Sequence, residues 1–518
     1  MKRAISTILF FTIIFTLSFS AIAKDDNNTI DNTIERGRVF LSKLDTLLQR
    51  YSNIEPKDTT LNLQMTDADS QTYKSSRLVV LGDSDEPLNN DFGAVEKVEG
   101  YAGLHILQYN NEDEATFAYN GLKSNSIIRY IEYDFQYYTE DTIDEAKLTA
   151  SSSMDQWNCW GVNVVFSQLA MQEISDFHIE TSPVVVAILD SGLNVNHNAI
   201  DATRIILPND SDYDIYGHGT AVASIIQHNT PSNVQLYPIK VLEDNGKVEN
   251  SKIVTIINLF RDSQLSSEED SIRADIMNIS INSTTGLESK IFEEAVSAVV
   301  DSGTIVVASS GNNYASAKNH PPANVKKAIV VAGSIEGNTP YSPSNRGGTV
   351  DLAAPGQDVL CADAENGKAT GLILKSGTSF SAPFVSAAAA ILKSIDSSLS
   401  PSEVENILKR TVTPWSGTYT SYGTGIVNFV NMLNPYRIDS PTVNVDWDTN
   451  TVTLTTPESV PNAEIYYTLD GTEPTKDTGI RYTEPIVVER RVEKIKIIAC
   501  ISGELPSKVV NYVLCVSA

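Results

Sequence analysis

Three short segments, far apart in a chain of 518 residues, carry side chains whose types fit proton transfer and covalent bond formation. The first is Asp190-Ser191-Gly192, at the end of the apolar run Val184 to Leu189. The second is Gly217-His218-Gly219-Thr220, leading into a compact apolar stretch from Ala221 to Ile226. The third is Gly377-Thr378-Ser379-Phe380-Ser381-Ala382-Pro383, which opens an Ala-rich helix. A serine hydroxyl is a weak nucleophile until a base takes its proton, an imidazole is such a base near neutral pH, and a carboxylate orients the imidazole. Each segment also has an ordinary reading: a turn, a helix-start histidine, an N-cap serine. Three such coincidences in one chain make a poor account.

Catalytic groups need elements that hold them at one edge. The continuous apolar runs at 184–189, 234–241, 275–280, 304–308 and 328–333 read as strands buried on both faces, and ligands collect at the carboxyl ends of such strands. Asp190 stands at one of those ends. The glycines beside His218 permit close approach to the ring, and Ser379 falls at a helix N-terminus, where free N–H groups favour a developing negative charge. Asn312 follows the run at 304–308 and offers an amide N–H to a carbonyl oxygen as it becomes negative.

The segments around Asp190, His218 and Ser379, supported by Met277-Asn278-Ile279-Ser280 and Asp351-Leu352-Ala353-Ala354-Pro355-Gly356, resemble the subtilases over about residues 157–389. The resemblance implies an α/β fold: a doubly wound, mostly parallel sheet with helices on both faces. It implies that Asp190 supports His218, that His218 deprotonates Ser379, and that Asn312 stabilises the oxyanion. Ser280, Ile281 and Asn282 should bind the substrate as an added strand. Here Ser280 is followed by Ile281-Asn282-Ser283, where the family usually has glycine, so the specificity pocket should differ. The chemistry requires no cofactor and no catalytic metal. The oxygen-rich loop carrying Asp210, Asp212 and Asp214 would suit a structural calcium, although alternating Asp is more often solvated charge.

Around this central region the chain divides further. Lys2-Arg3, an apolar run and Ala21-Ile22-Ala23 have the order of a secretory signal peptide, residues 1–23, which implies a secreted protein; no later stretch reads as a membrane span. Residues 24–138 show strands at 77–81, 103–107 and 127–133 and a helix at 113–123, a small α+β module that the resemblance makes an inhibitory propeptide. Its tail, Phe135-Gln136-Tyr137-Tyr138, is placed to occupy the substrate cleft and be cut by Ser379. The catalytic domain then spans 139–435. Residues 436–518 read as short strands with a tight turn at Asp470-Gly471, an immunoglobulin-like β-sandwich resembling the C-terminal repeat of chitobiase-type secreted enzymes. That module suits either a structural role or contact with a cell surface or carbohydrate.

With 38 Lys and Arg against 65 Asp and Glu, the net charge of −27 argues against nucleic acid as a partner. Cys500 and Cys515 are near enough in sequence to bridge, with Cys159 and Cys361 apart, but four buried thiols are an equal alternative. Two function classes follow: a self-processing endopeptidase acting on proteins or peptides, inhibited by its own propeptide, or a subtilase-like scaffold that binds through its sandwich.

Overall fold

The computed structural model describes residues 74–83, 88, 90–98, 103–139, 142–143, 159–206, 213–265, 273–283, 286–488 and 494–514. The segment 1–23 lies outside them.

The Val184–Asp190 strand shows how the central domain is built. Its β-branched, uncharged residues suit a strand covered on both sides, and the pleat sends neighbours to opposite faces. Val184, Val186 and Ile188 enter one core with the helices His218–His228 and Ala382–Ile395. Ala187 and Leu189 enter a second core with Asn250–Leu265 and Lys290–Asp301. Helices thus cover both faces of a seven-stranded sheet ordered Thr339–Pro340, Ile329–Ile335, Ile305–Ser309, Ile276–Ile279, Val184–Asp190, Val234–Lys240, with Leu352–Pro355 added beside Ile329–Ile335. All pairs are parallel except that of Thr339–Pro340. The chain pairs Val184–Asp190 first with Val234–Lys240 on one side and later with Ile276–Ile279 on the other, so the winding reverses there and opens a crevice at the carboxyl edge. The expected strands are found within about two residues. The Leu352–Pro355 strand was not expected, because a four-residue run ending in proline has no strand signal of its own.

Ala382–Ile395 is apolar all round and buried on every side, as the central helix of a large core must be. The stretch Thr378–Ile395 has the length and apolarity to cross a membrane, contrary to the sequence reading, but 94% of it is buried inside the protein.

The preceding module is a four-stranded antiparallel sheet ordered Glu96–Val98, Leu104–Gln108, Arg77–Gly82, Ile128–Tyr133, with one helix, Glu112–Leu122. Leu78 and Val80 pack on that helix, whereas Val79, Leu81 and Leu104 join the second core of the central domain. Two of its carboxylates sit at helix N-termini of the central domain. Glu132 accepts the backbone N–H groups of Lys290 and Ile291 and the Ser289 hydroxyl; Asp134 accepts the backbone N–H and hydroxyl of Ser251.

The C-terminal module pairs a three-stranded sheet with a four-stranded one, both antiparallel, around Val452, Leu454, Ile465, Ile486, Ile495 and Ile497. Arg437 holds it to the central domain through an ion pair with Glu173. Among the described residues Cys159, Cys361 and Cys500 form no disulfide with one another, and Cys515 lies outside the described residues.

Candidate active site

Asp190 ends its strand with a side chain 1% exposed, and its Oδ1 lies 2.7 Å from Nδ1 of His218, the first residue of the adjoining helix. The same oxygen accepts the Ser191 N–H at 2.7 Å. An ionised carboxylate only accepts, so His218 carries its proton on Nδ1 and presents Nε2 as the base. The close contact depends on Gly219: a Cβ there would stand 2.3 Å from the Gly192 carbonyl oxygen, so any other residue would push the helix off the strand end. This is the physical role of that glycine. It admits the protein's own backbone, not the substrate.

Asp214 secures the same junction. It is fully buried and accepts the Ser191 hydroxyl, the Gly217 and Thr220 N–H groups and the Thr220 hydroxyl at 2.6–2.9 Å. Burial raises its pKa, and those donors oppose the shift. Asp214 is therefore a buried cap for the His218 helix, with its carboxylate engaged by the protein. Asp210 and Asp212 lie outside the described residues.

Ser379 sits in the tight turn Thr378–Phe380 that precedes Ala382–Ile395. The residue is buried, and its hydroxyl has no hydrogen-bond partner among the described residues. The next side chain, Phe380, lies against the His218 ring at 5.5 Å between centroids. Hydrogen bonds hold the turn, one of them from the Gly311 N–H to Thr378 Oγ1 at 3.0 Å. The Thr378 N–H donates to Asn312 Oδ1 at 2.9 Å, and the Ser280 hydroxyl donates to the Ser379 carbonyl at 2.9 Å. Because Asn312 accepts through its oxygen, its Nδ2 is the end that can donate to a reacting carbonyl.

Ser280 is itself positioned by residues that the sequence reading did not single out. The Ser386 hydroxyl donates to Asn278 Oδ1, and Asn278 Nδ2 donates to Ser280 Oγ, both at 2.9 Å. An Asn inside the apolar run Ile276–Ile279 was the visible sign, since a buried amide must be matched by partners. Asn345, whose Oδ1 accepts the N–H groups of Asn313 and Ala315, braces the loop after Asn312 and had no sequence signal.

The expected substrate-binding stretch divides. Ile281 is turned into the second core, while Asn282 and Ser283 form a short strand facing the cleft. The buried Asn282 amide donates to Ser309 Oγ at 3.1 Å, filling space next to Gly311. The cleft contains the chain's own Gln136–Tyr138, paired antiparallel to Asn282–Ser283 on one side and to Lys247–Glu249 on the other. Beyond it, Thr142–Ile143 pairs with Lys375 and Ser376, just before the nucleophile turn.

The geometry is one of acyl transfer: an oriented imidazole, a serine on a braced turn, an amide donor beside it, and a peptide segment in extended form across the cleft. Comparison with known proteins agrees. Residues 181–430 match the subtilase family, and residues 452–514 match the Fn3-associated domain. The chain is 30% identical to alkaline elastase YaB of a Bacillus species over 320 residues, 60% of this chain and 75% of that one. It is 31% identical to an extracellular serine proteinase of a Thermus species over 44% of this chain, and spans 54% of the length of that relative. Fervidolysin of Fervidobacterium pennivorans, described as a keratinolytic enzyme related to subtilisin, has the same fold at 18% identity, with a TM-score of 0.57 over 87% of this chain and 77% of that one. On a relative 30% identical that it covers over three quarters of its length, and on the family match across the residues 181–430 that include Asp190, His218 and Ser379, the chain belongs to the subtilase family of serine-type peptidases.

Proposed function

We propose that the protein is a secreted serine endopeptidase made as a self-processing zymogen. The observation that carries this reading is the 2.7 Å contact between buried Asp190 and His218 beside the turn that bears Ser379. The Ser379 hydroxyl gives its proton to His218 Nε2 as Oγ attacks the carbonyl carbon of a peptide bond. The resulting imidazolium is stabilised by Asp190, and Asn312 Nδ2 donates to the oxyanion. His218 then protonates the leaving amine, which departs and leaves an acyl group on Ser379. Water, deprotonated by the same imidazole, attacks that ester, and the proton returns to Ser379 as the acid leaves. All the groups in this route are side chains and backbone of the chain.

The segment 24–138 acts as an intramolecular inhibitor. Its tail fills the cleft as the middle strand of three, while Glu132 and Asp134 fasten its sheet to two helix ends. Secretion is supported by the pattern of residues 1–23 and by the extracellular description of the Thermus relative.

Labelling with a serine-directed fluorophosphonate tests the reading. One equivalent should attach to Ser379 of the processed protein, and Ser379→Ala should abolish it. A folded, processed protein that takes no label would mean a scaffold that binds instead of cutting.

A further inference from the structure

The tail in the cleft is the peptide this protein holds first, and its side chains show what the cleft recognises. Tyr137 is the most deeply held of them. It is fully buried, its ring lies 5.3 Å from that of Phe292, and it projects between the first turns of Asn250–Leu265 and Lys290–Asp301. At the floor its hydroxyl donates to Asn250 Oδ1 at 3.1 Å. Asn250 is also fully buried, and its backbone N–H donates to the Phe135 carbonyl at 2.8 Å, so one residue binds both the main chain and the phenol of the same segment. The Asn250 amide is orientated by its other end, since Nδ2 faces Ser289 Oγ at 3.5 Å. Burial raises the pKa of Tyr137 well above the ordinary phenol value, which keeps the hydroxyl a donor. Tyr138, the next residue, is only half-buried, and its hydroxyl accepts from Asn313 Nδ2 at 3.5 Å.

A merely apolar pocket would take phenylalanine as readily as tyrosine. A pocket with a buried amide oxygen at its end does not, because phenylalanine leaves that acceptor desolvated and unpaired, and sites built to bond a hydroxyl reject the analogue that lacks it. We infer that the groove holding Tyr137 is a tyrosine-reading subsite for peptide substrates, with Asn250 as the residue that separates tyrosine from phenylalanine. The inference rests on the peptidase reading above and adds to it a preference upstream of the bond that is cut.

The test uses the full chain, expressed and left to process itself, then labelled with fluorophosphonate to report Ser379 chemistry independently of the subsite. Unlabelled enzyme is given three peptides: the sequence of residues 135–146, the same with Tyr137→Phe, and the same with Tyr138→Phe. The expected result is a kcat/KM about tenfold or more lower for Tyr137→Phe and within about twofold of the parent for Tyr138→Phe. Asn250→Leu should bring the first ratio to about one. Protein that takes the label and cuts the Tyr137→Phe peptide as fast as the parent overturns the subsite and leaves the peptidase reading standing. Protein that takes no label overturns that reading and the subsite with it. Should the Asn250 variant fail to fold, the peptide comparison on the unmodified enzyme decides alone.

Discussion

Asn312 accepts the backbone N–H of Thr378 through its amide oxygen at 2.9 Å, so the residue that braces the nucleophile turn also has its donor end aimed by that bond. Asn312→Asp separates the two tasks. A carboxylate can still accept from Thr378 but has no N–H for the oxyanion, and it places a negative charge where negative charge develops. The fold should hold, KM should change little, and kcat should fall by about 10²–10³, a size taken from subtilisins themselves. Steady-state kinetics on a peptide substrate check this. A kcat within a factor of three of wild type would remove Asn312 from the chemistry.

Asp214 accepts both the N–H and the hydroxyl of Thr220 at the junction that presents His218. Asp214→Ala would leave the Gly217 and Thr220 N–H groups and two hydroxyls buried without an acceptor. At about 1–3 kcal/mol for each unsatisfied group, and with some relaxation, a loss of about 3–5 kcal/mol is expected. Urea denaturation in a Ser379→Ala background, which keeps the chain from cutting itself, measures it. Calcium should not restore the stability, because the loss is of hydrogen bonds within the helix start. Full recovery on adding calcium would return Asp214 to the role of metal ligand.

The parts legible in the sequence were those whose local pattern and tertiary role coincide. Val184 to Leu189 reads as a buried strand because parallel strands covered on both faces must be apolar throughout, and Asp190 is conspicuous as the charge that ends it. The three chemical segments were found because glycine, histidine, serine and proline at fixed neighbours are rare together. Contacts between distant residues were not legible. Nothing near Asn278 in the chain announces that it links Ser386 to Ser280, and nothing in Gln136–Tyr138 announces which strand pairs with it on each side. The burial of Asp214 was not legible either, as charge alternation is a local pattern while burial is decided by the packing of Ser191 and Thr220 around it.

His228, at the end of the helix that His218 begins, sets a pH dependence of stability. Burial draws its pKa down from 6.5 to about 4. The unfolded chain therefore takes up this proton first as pH falls. The stability linked to neutral His228 is complete above about 6.5, declines between 6.5 and 4, and is gone below that. The share is at most about 3 kcal/mol, and the helix C-terminus, which favours a cation, reduces it. In the Ser379→Ala background, His228→Gln should lose less stability than its parent between pH 7 and pH 4.5. Equal losses in the two proteins would mean that His228 titrates normally.

Under the proposed self-processing, strand register predicts where the chain is cut. Tyr138 pairs with Asn282, and the Thr139 hydroxyl lies 2.9 Å from that of Tyr216, so both residues are bound on the upstream side of the cleft. Ser280, two residues before Asn282, donates its hydroxyl to the Ser379 carbonyl. On the downstream side Thr142 pairs with Ser376, in the approach to the same turn. Counting on from each register predicts Glu140–Asp141 as the bond that is cut. Mass spectrometry of the processed protein should find Asp141 as the new N-terminus, and Ser379→Ala should keep the two parts joined. A mature chain that begins at Thr139 would mean that the tail shifts by two residues before it is cut, which would also move Tyr137 out of its place against Asn250.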